Sequence, residues 1–174
     1  MSPEFAFLTF DKMIKKLECL MIEFFTSLLS PQEYKLMLAA ALGLIMGIER
    51  ELAGKDPGLR TFTLICLGSC LFTMLSASLA ENNQYADPGR IAAQIISGIG
   101  FLGAGTIFRS RERVTGLTTA ALMWVTAAIG MAIGFNKISL AITASIITIV
   151  LVFMLGLVHK VRYRLGIHPG ADKS

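Results

Sequence analysis

Between Arg90 and Arg109 the chain runs for eighteen residues, Ile91 to Phe108, without a formal charge. At about 1.5 Å per residue, a helix of that length crosses most of a hydrocarbon layer roughly 30 Å thick. Three further uncharged runs follow the same rule: Thr61–Ala80, Val114–Asn136 and Ile138–Val158. With 54% hydrophobic and only 16% charged residues among 174, and a mean hydropathy of +0.66, the chain belongs to the membrane class. The expected fold is an all-α integral membrane protein, a bundle of about five transmembrane helices preceded by an amphipathic helix.

The run from Ile91 also carries a face of small side chains. Ala93, Ser97, Gly100 and Ala104 follow 4-3-4 spacing, which lets neighbouring backbones approach closely. The span they belong to is expected at the centre of the bundle. Within it, Gly98 to Gly103 reads GxGxxG, the dinucleotide-binding pattern. That chemistry needs a strand before the glycines and an acidic residue about twenty positions on. Met123 stands there instead. A tightly packed or locally unwound helix is the better reading.

Residues 1–30 form an amphipathic segment. Met13, Leu17, Leu20, Met21, Phe24 and Leu28 make a stripe at helical spacing, and Lys12, Lys15, Lys16 and Glu23 face elsewhere. Residues 31–158 form the transmembrane domain, and 159–174 a short basic tail. Leu36–Ile48 is a marginal span of thirteen uncharged residues, with Gly43 and Gly47 as a close-packing pair. Cys66, Ser69, Cys70, Thr73, Ser76, Ala77 and Ala80 form a weakly polar stripe on the next run, read as helix packing. Gly130 and Gly134 repeat the close-packing spacing, and Trp124, mid-span, is expected to pack within the protein. The run from Ile138 looks the most lipid-facing.

Lysine and arginine set an orientation. Loops 50–60 and 109–113 carry three each and the tail after Val158 four, against one each in 81–90 and 135–137. The basic set and the C-terminus are therefore expected in the cytoplasm. Five spans then place the N-terminus outside despite its four lysines, Lys12, Lys15, Lys16 and Lys35; four spans, with 36–48 re-entrant or interfacial, would keep those lysines inside and fit the charge rule better. The net charge of +4 fits topology signals and anionic lipid rather than nucleic acid.

No carboxylate interrupts the four long runs, and both histidines lie in the tail. Nucleophile, base and metal-ligand residues are not arranged for catalysis, so neither an enzyme nor a cofactor or metal site is expected. Cys66 and Cys70, one turn apart, read as packing residues rather than a disulfide. Charges collect at span ends instead. Glu49 or Glu51 could pair with Arg60 on one side, with Asp87 and Arg90 on the other. Gln94 is the deepest strong polar group and needs a partner in lipid.

Five segments carry a resemblance: Gly47–Glu51 (GIERE), Gly58–Thr61 (GLRT), Asp87–Gln94 (DPGRIAAQ), Ser97–Ile107 (SGIGFLGAGTI) and Gly116–Ala121 (GLTTAA). Over residues 33 to 158 the chain resembles the membrane domain of the MgtC/SapB family. The resemblance implies five spans in a bacterial inner membrane. It further implies a regulator linked to low magnesium, acid stress and virulence, in some members restraining the proton-conducting part of ATP synthase. It makes Glu49, Arg50, Glu51, Arg60, Asp87, Arg90, Gln94, Ser97, Gly98, Gly100, Gly103, Gly105, Gly116, Thr118 and Thr119 the candidate interaction residues. Gly43, Gly47, Ala93, Ala104, Gly130 and Gly134 are the candidates for helix packing. Many members carry an ACT-like domain after the fifth span; with about sixteen residues after Val158, its absence is expected here. The partners expected are the lipid bilayer and another membrane protein, with a homo-oligomer left open. The alternative is a channel or carrier for Mg²⁺ or another small solute, although Mg²⁺ keeps several waters and usually needs carboxylates.

Overall fold

The computed structural model of the chain describes residues 15, 16, 20, 32–81, 87, 89–111 and 113–164, with side chains to Val158. The amphipathic helix expected over 1–30 and the end of the basic tail lie almost wholly outside these residues. Chain contacts define two compact units, 1–37 and 38–174, and the helical bundle belongs to the second. The described elements are α1 (Glu33–Leu52), α2 (Leu59–Glu81), α3 (Gly89–Ala104), β1 (Phe108–Arg109), β2 (Val114–Thr115), α4 (Leu117–Gly134) and α5 (Ile138–Arg164).

Three of the described helices are long and apolar enough to cross a membrane: α2, α4 and residues Ile138–Val158 of α5. Five spans are more than this. Helix α3 is apolar but has 16 residues, a rise of about 24 Å against a core of roughly 30 Å. Helix α1 has 20 residues but carries Glu33 and Lys35 near one end and Glu49, Arg50 and Glu51 at the other.

The centre of the bundle is α4, not α3. Helix α4 packs most extensively on α2 and also touches α3 and α5. Its glycines explain the approach to α2. A Cβ added to Gly130 would lie 2.2 Å from the Cys66 carbonyl oxygen, and one on Gly134 would lie 2.6 Å from the Thr73 Cβ. Helix α1 approaches α2 as closely: a Cβ on Gly43 would come within 2.8 Å of the Cys66 Cβ, and one on Gly47 within 2.6 Å of the Leu59 Cα. Cys66 thus sits between two glycine-bearing helices, with no volume to spare.

The weakly polar stripe of α2 faces inward: Cys66, Ser69, Cys70, Thr73 and Ser76 are buried. Buried hydroxyls bond back to their own helices. Thr73 Oγ1 donates to Ser69 O at 2.7 Å, Thr126 Oγ1 to Leu122 O at 2.8 Å and Ser145 Oγ to Ala141 O at 2.8 Å. Such back-bonds satisfy the donor where neither water nor another chain is needed. Apolar packing completes the core through Met46, Phe62, Ile65, Ile99, Leu122, Met123 and Ala127.

Helix α3 departs furthest from expectation. Only Ile99 and Gly103 on it are buried, because its contact with α4 is a narrow strip. A Cβ on Gly103 would meet the Ala120 Cβ at an ordinary 3.5 Å. Ala93, Ser97, Gly100 and Ala104 lie on another face and are exposed; a Cβ on Gly100 would meet nothing within 4 Å. The uncharged run is also not one helix. It winds down through Thr106 N–H to Gly103 O at 3.0 Å and Ile107 N–H to Ala104 O at 3.1 Å. A hairpin comes next, pairing Phe108 with Thr115 and Arg109 with Val114. Its return leads into Gly116, at φ +88°, where a Cβ would lie 1.8 Å from the Thr106 carbonyl oxygen. Only glycine fits there.

Trp124 is half exposed rather than packed inside. Leu117, Ala121, Trp124 and Ala128 form one exposed stripe at helical spacing, opposite the face α4 uses against α2. Helix α5 buries little beyond Ala141 and Ser145, as a lipid-facing helix should.

Candidate functional site

The ends of the described helices fall into two sets. The α1–α2 loop, the end of α3, the hairpin and the start of α4 share one end of the bundle; the end of α2, the start of α3 and the α4–α5 turn share the other. The first end holds a cleft of about 1120 Å³, formed by Glu51 and residues 54–61, by 101, 102 and 104–106 around the end of α3, and by Phe108 and Met123.

The loop is held by its own backbone and by one carboxylate. Gly54 N–H and Lys55 N–H donate to the carbonyls of Glu51 and Arg50, each at 3.0 Å, with Gly54 at φ +62°. Glu51 Oε2 accepts from Leu59 N–H at 3.1 Å and so caps the first turn of α2, where a carboxylate also suits the helix dipole. Arg60 is exposed in the same cleft, with Lys55 and Asp56. Glu49 pairs with Arg50 rather than with Arg60: Nε and Nη2 of Arg50 both reach the Glu49 carboxylate. Arg50 is only 2% exposed, and its Nη1 has no hydrogen-bond partner among the described residues. The expected pairing of Glu49 or Glu51 with Arg60 is therefore replaced, because each carboxylate is satisfied by a nearer donor.

Beside the cleft lies a second cavity of about 740 Å³, an apolar groove between α2 and α3. Leu64, Ile65 and Phe72 line one wall, Ile91, Ile95 and Ile99 the other, and Gln94 enters it from α3. Thr61, Phe101 and Leu102 line both cavities.

The structure brings together Glu51, Arg60 and Gly105 in the cleft, and Gln94 and Gly98 in the adjoining groove. Others lie apart. Asp87 sits at the opposite end, where its Oδ1 accepts from Gly89 N–H at 2.7 Å as the cap of α3; Arg90, exposed, is close by in the first turn. Ser97 and Gly100 lie on the open face of α3, Gly116 in the hairpin return, Thr118 is exposed, and Thr119 is buried on α4. Sequence reasoning did not pick out Lys55, Asp56, Phe101 or Thr106 as cleft residues. Their signal was available only as the polar loop 54–58 and the glycine-rich end of the run, which nothing in the sequence places side by side.

The sequence profile of the MgtC family matches residues 36–161. The chain belongs to the MgtC family. YhiD of Escherichia coli (strain K12), whose name suggests magnesium transport, is 43% identical over 136 residues, covering 75% of this chain and 62% of YhiD. Protein MgtC of Salmonella typhimurium (strain LT2) is 42% identical over 120 residues, covering 69% of this chain and 50% of that protein. An uncharacterized protein of Haemophilus influenzae is 41% identical over 133 residues, covering 72% of this chain and 56% of its own. The chain spans between half and 62% of the length of these curated relatives. No solved structure gives a significant match. The profile takes in nearly all of α1 and the whole of α2, α3, the hairpin and α4, so both cavities lie within the family domain.

Proposed function

We propose that this MgtC-family protein is a multi-pass regulator of the bacterial inner membrane that acts by helix–helix contact with another membrane protein. The observation that carries this reading is the open face of α3. Gly103 and Gly130 are already packed against neighbours, yet Ala93, Ser97, Gly100 and Ala104 present a smooth exposed surface. A helix from another protein can approach such a face to backbone contact, the arrangement that gives van der Waals association in lipid. The family resemblance supports a role in adaptation to low magnesium or acid stress and in virulence, with the proton-conducting part of ATP synthase as one candidate partner. The cytoplasmic end is the one with the cleft, since Lys55, Arg60, Arg109, Arg111 and Arg113 all belong to it.

The test is site-specific crosslinking in living cells from a photoreactive residue at Ser97. A discrete membrane-protein adduct, lost when Gly100 is replaced by leucine while the protein still accumulates, is the expected result. Absence of any adduct from Ser97, Gly100 and Ala104 alike would remove this reading.

Transport is the second reading, supported by the name of YhiD and by a cleft that opens at one end of the bundle. Its difficulty is ligand chemistry. The cleft offers Glu51 and Asp56 beside Lys55 and Arg60, and the groove offers no carboxylate, whereas Mg²⁺ sites are usually built on carboxylates.

A further inference from the structure

We propose that the cleft and the α2–α3 groove together hold one anionic phospholipid, its phosphate at Lys55 and Arg60 and one acyl chain in the groove. The two cavities meet at Thr61, Phe101 and Leu102, which line both. A ligand occupying them together must be charged at one end and apolar for the rest of its length.

Depth selects the ligand. Along α2 the groove runs from Thr61 to Phe72, and along α3 from Leu102 back to Ile91. Each is twelve residues, eleven steps and a rise of about 16 Å at 1.5 Å per residue. Half of a hydrocarbon core of roughly 30 Å is about 15 Å. The groove is one leaflet deep, the length of an acyl chain anchored at the interface, and too short to seat a full transmembrane helix. Charge selects the headgroup. The end of the bundle where the groove opens bears Lys55 and Arg60 in the cleft, with Arg109, Arg111 and Arg113 exposed on the hairpin. Glu51 is engaged with the Leu59 N–H, which leaves Asp56 as the other acidic side chain of the cleft. Basic residues at this depth attract anionic lipid.

The groove owes its depth to two glycines. A Cβ on Gly68 or on Gly98 would meet nothing within 4 Å, although both line the groove. A Cβ at either position enters the space reserved for the acyl chain without touching a neighbour, and a longer side chain extends further into that space. Such a substitution also replaces glycine in a helix interior, which favours the helix. The face involved is not the one proposed for a partner protein: Gly98 looks into the groove, whereas Ser97 and Gly100 lie outside it.

Native mass spectrometry of the purified chain with added dioleoyl-phosphatidylglycerol or dioleoyl-phosphatidylcholine tests this. The wild type is expected to retain one phosphatidylglycerol and to bind phosphatidylcholine at least tenfold more weakly. Gly68→Leu and Gly98→Leu should each lose the retained lipid, and Lys55→Gln with Arg60→Gln should weaken it roughly tenfold. Ser97→Leu, on the other face, should retain it. Equal retention by the two glycine variants, or equal binding of the two lipids, would overturn the proposal. So would a protein adduct from a crosslinker at Gly98, which would put a helix in the groove. The lysine and arginine variants alter exposed side chains, so they keep the headgroup test in force if either leucine variant does not fold. Loss of the Ser97 adduct with the lipid still bound would count against the regulatory reading alone.

Discussion

At the scale of single residues, the same residue type does opposite things at two places. Gly130 and Gly100 are both helical glycines in uncharged runs, and their spacing patterns look alike. Yet a Cβ on Gly130 would lie 2.2 Å from a carbonyl oxygen of α2, while one on Gly100 would meet nothing. Gly130→Ala should therefore lower the thermal midpoint in detergent markedly, with overpacking costing about 1–3 kcal/mol or more, and Gly100→Ala should hold it or raise it slightly, since alanine in open space favours the helix. Equal midpoints for the two variants would show that α4 is not the packed centre. Periodicity finds a face of small residues but cannot say whether its partner lies in the same chain, and this is why α3 read as central. The Glu49–Arg50 pair supplies a second prediction. Arg50 is 2% exposed and relies on Glu49 for two of its donors. Glu49→Ala should cost several kcal/mol, about 3–5 for a stranded buried charge, whereas Glu49→Ala with Arg50→Leu should recover much of it. Thermal unfolding of the two singles and the double checks the coupling. Sequence placed these charges correctly at a helix end but could not choose their partners, because pairing is settled by distances of a few ångströms.

At the scale of elements, the long apolar runs were the legible part. Helices α2, α4 and α5 lie where uncharged runs of twenty residues or more put them, and Asp87 caps α3 where Asp87-Pro88 announces a helix start. The end of α3 was not legible. Thr106, Ile107 and Phe108 are as compatible with a span as the residues before them, and the turn is enforced from outside the run, by Gly116 at φ +88°. Gly116→Ala tests this. It should disrupt the hairpin and reduce accumulation of folded protein, since the added carbon would sit 1.8 Å from the Thr106 oxygen. Limited proteolysis between Arg109 and Arg113 should become faster in the variant. An unchanged cleavage rate would mean that the α3–α4 connection does not depend on that conformation.

At the scale of the whole molecule, the question is whether the two cavities form a route for ions or surfaces for binding. The cleft opens at one end, and among the described residues that line the groove beside it none is a carboxylate and Gln94 is the strongest polar group. An ion leaving the cleft would exchange water and two carboxylates for leucine, isoleucine and phenylalanine. The fixed charges Lys55 and Arg60 in the cleft oppose a divalent cation further. Purified protein in liposomes should therefore show no Mg²⁺ flux above empty vesicles, read with an entrapped Mg²⁺-sensitive dye under a tenfold gradient. The orientation must be known for that measurement, and reporter fusions supply it. Fusions after Lys55, Glu112 and Ser174 should read cytoplasmic and those after Gln84 and Asn136 external, from the ten-to-two bias in lysine and arginine between these regions. Flux that saturates with Mg²⁺ and is abolished by Glu51→Gln, in a variant that still folds, would establish the carrier reading. Glu51→Gln is the informative choice because the amide oxygen can still accept the Leu59 N–H. It removes the charge an ion would need and keeps the cap that the helix needs.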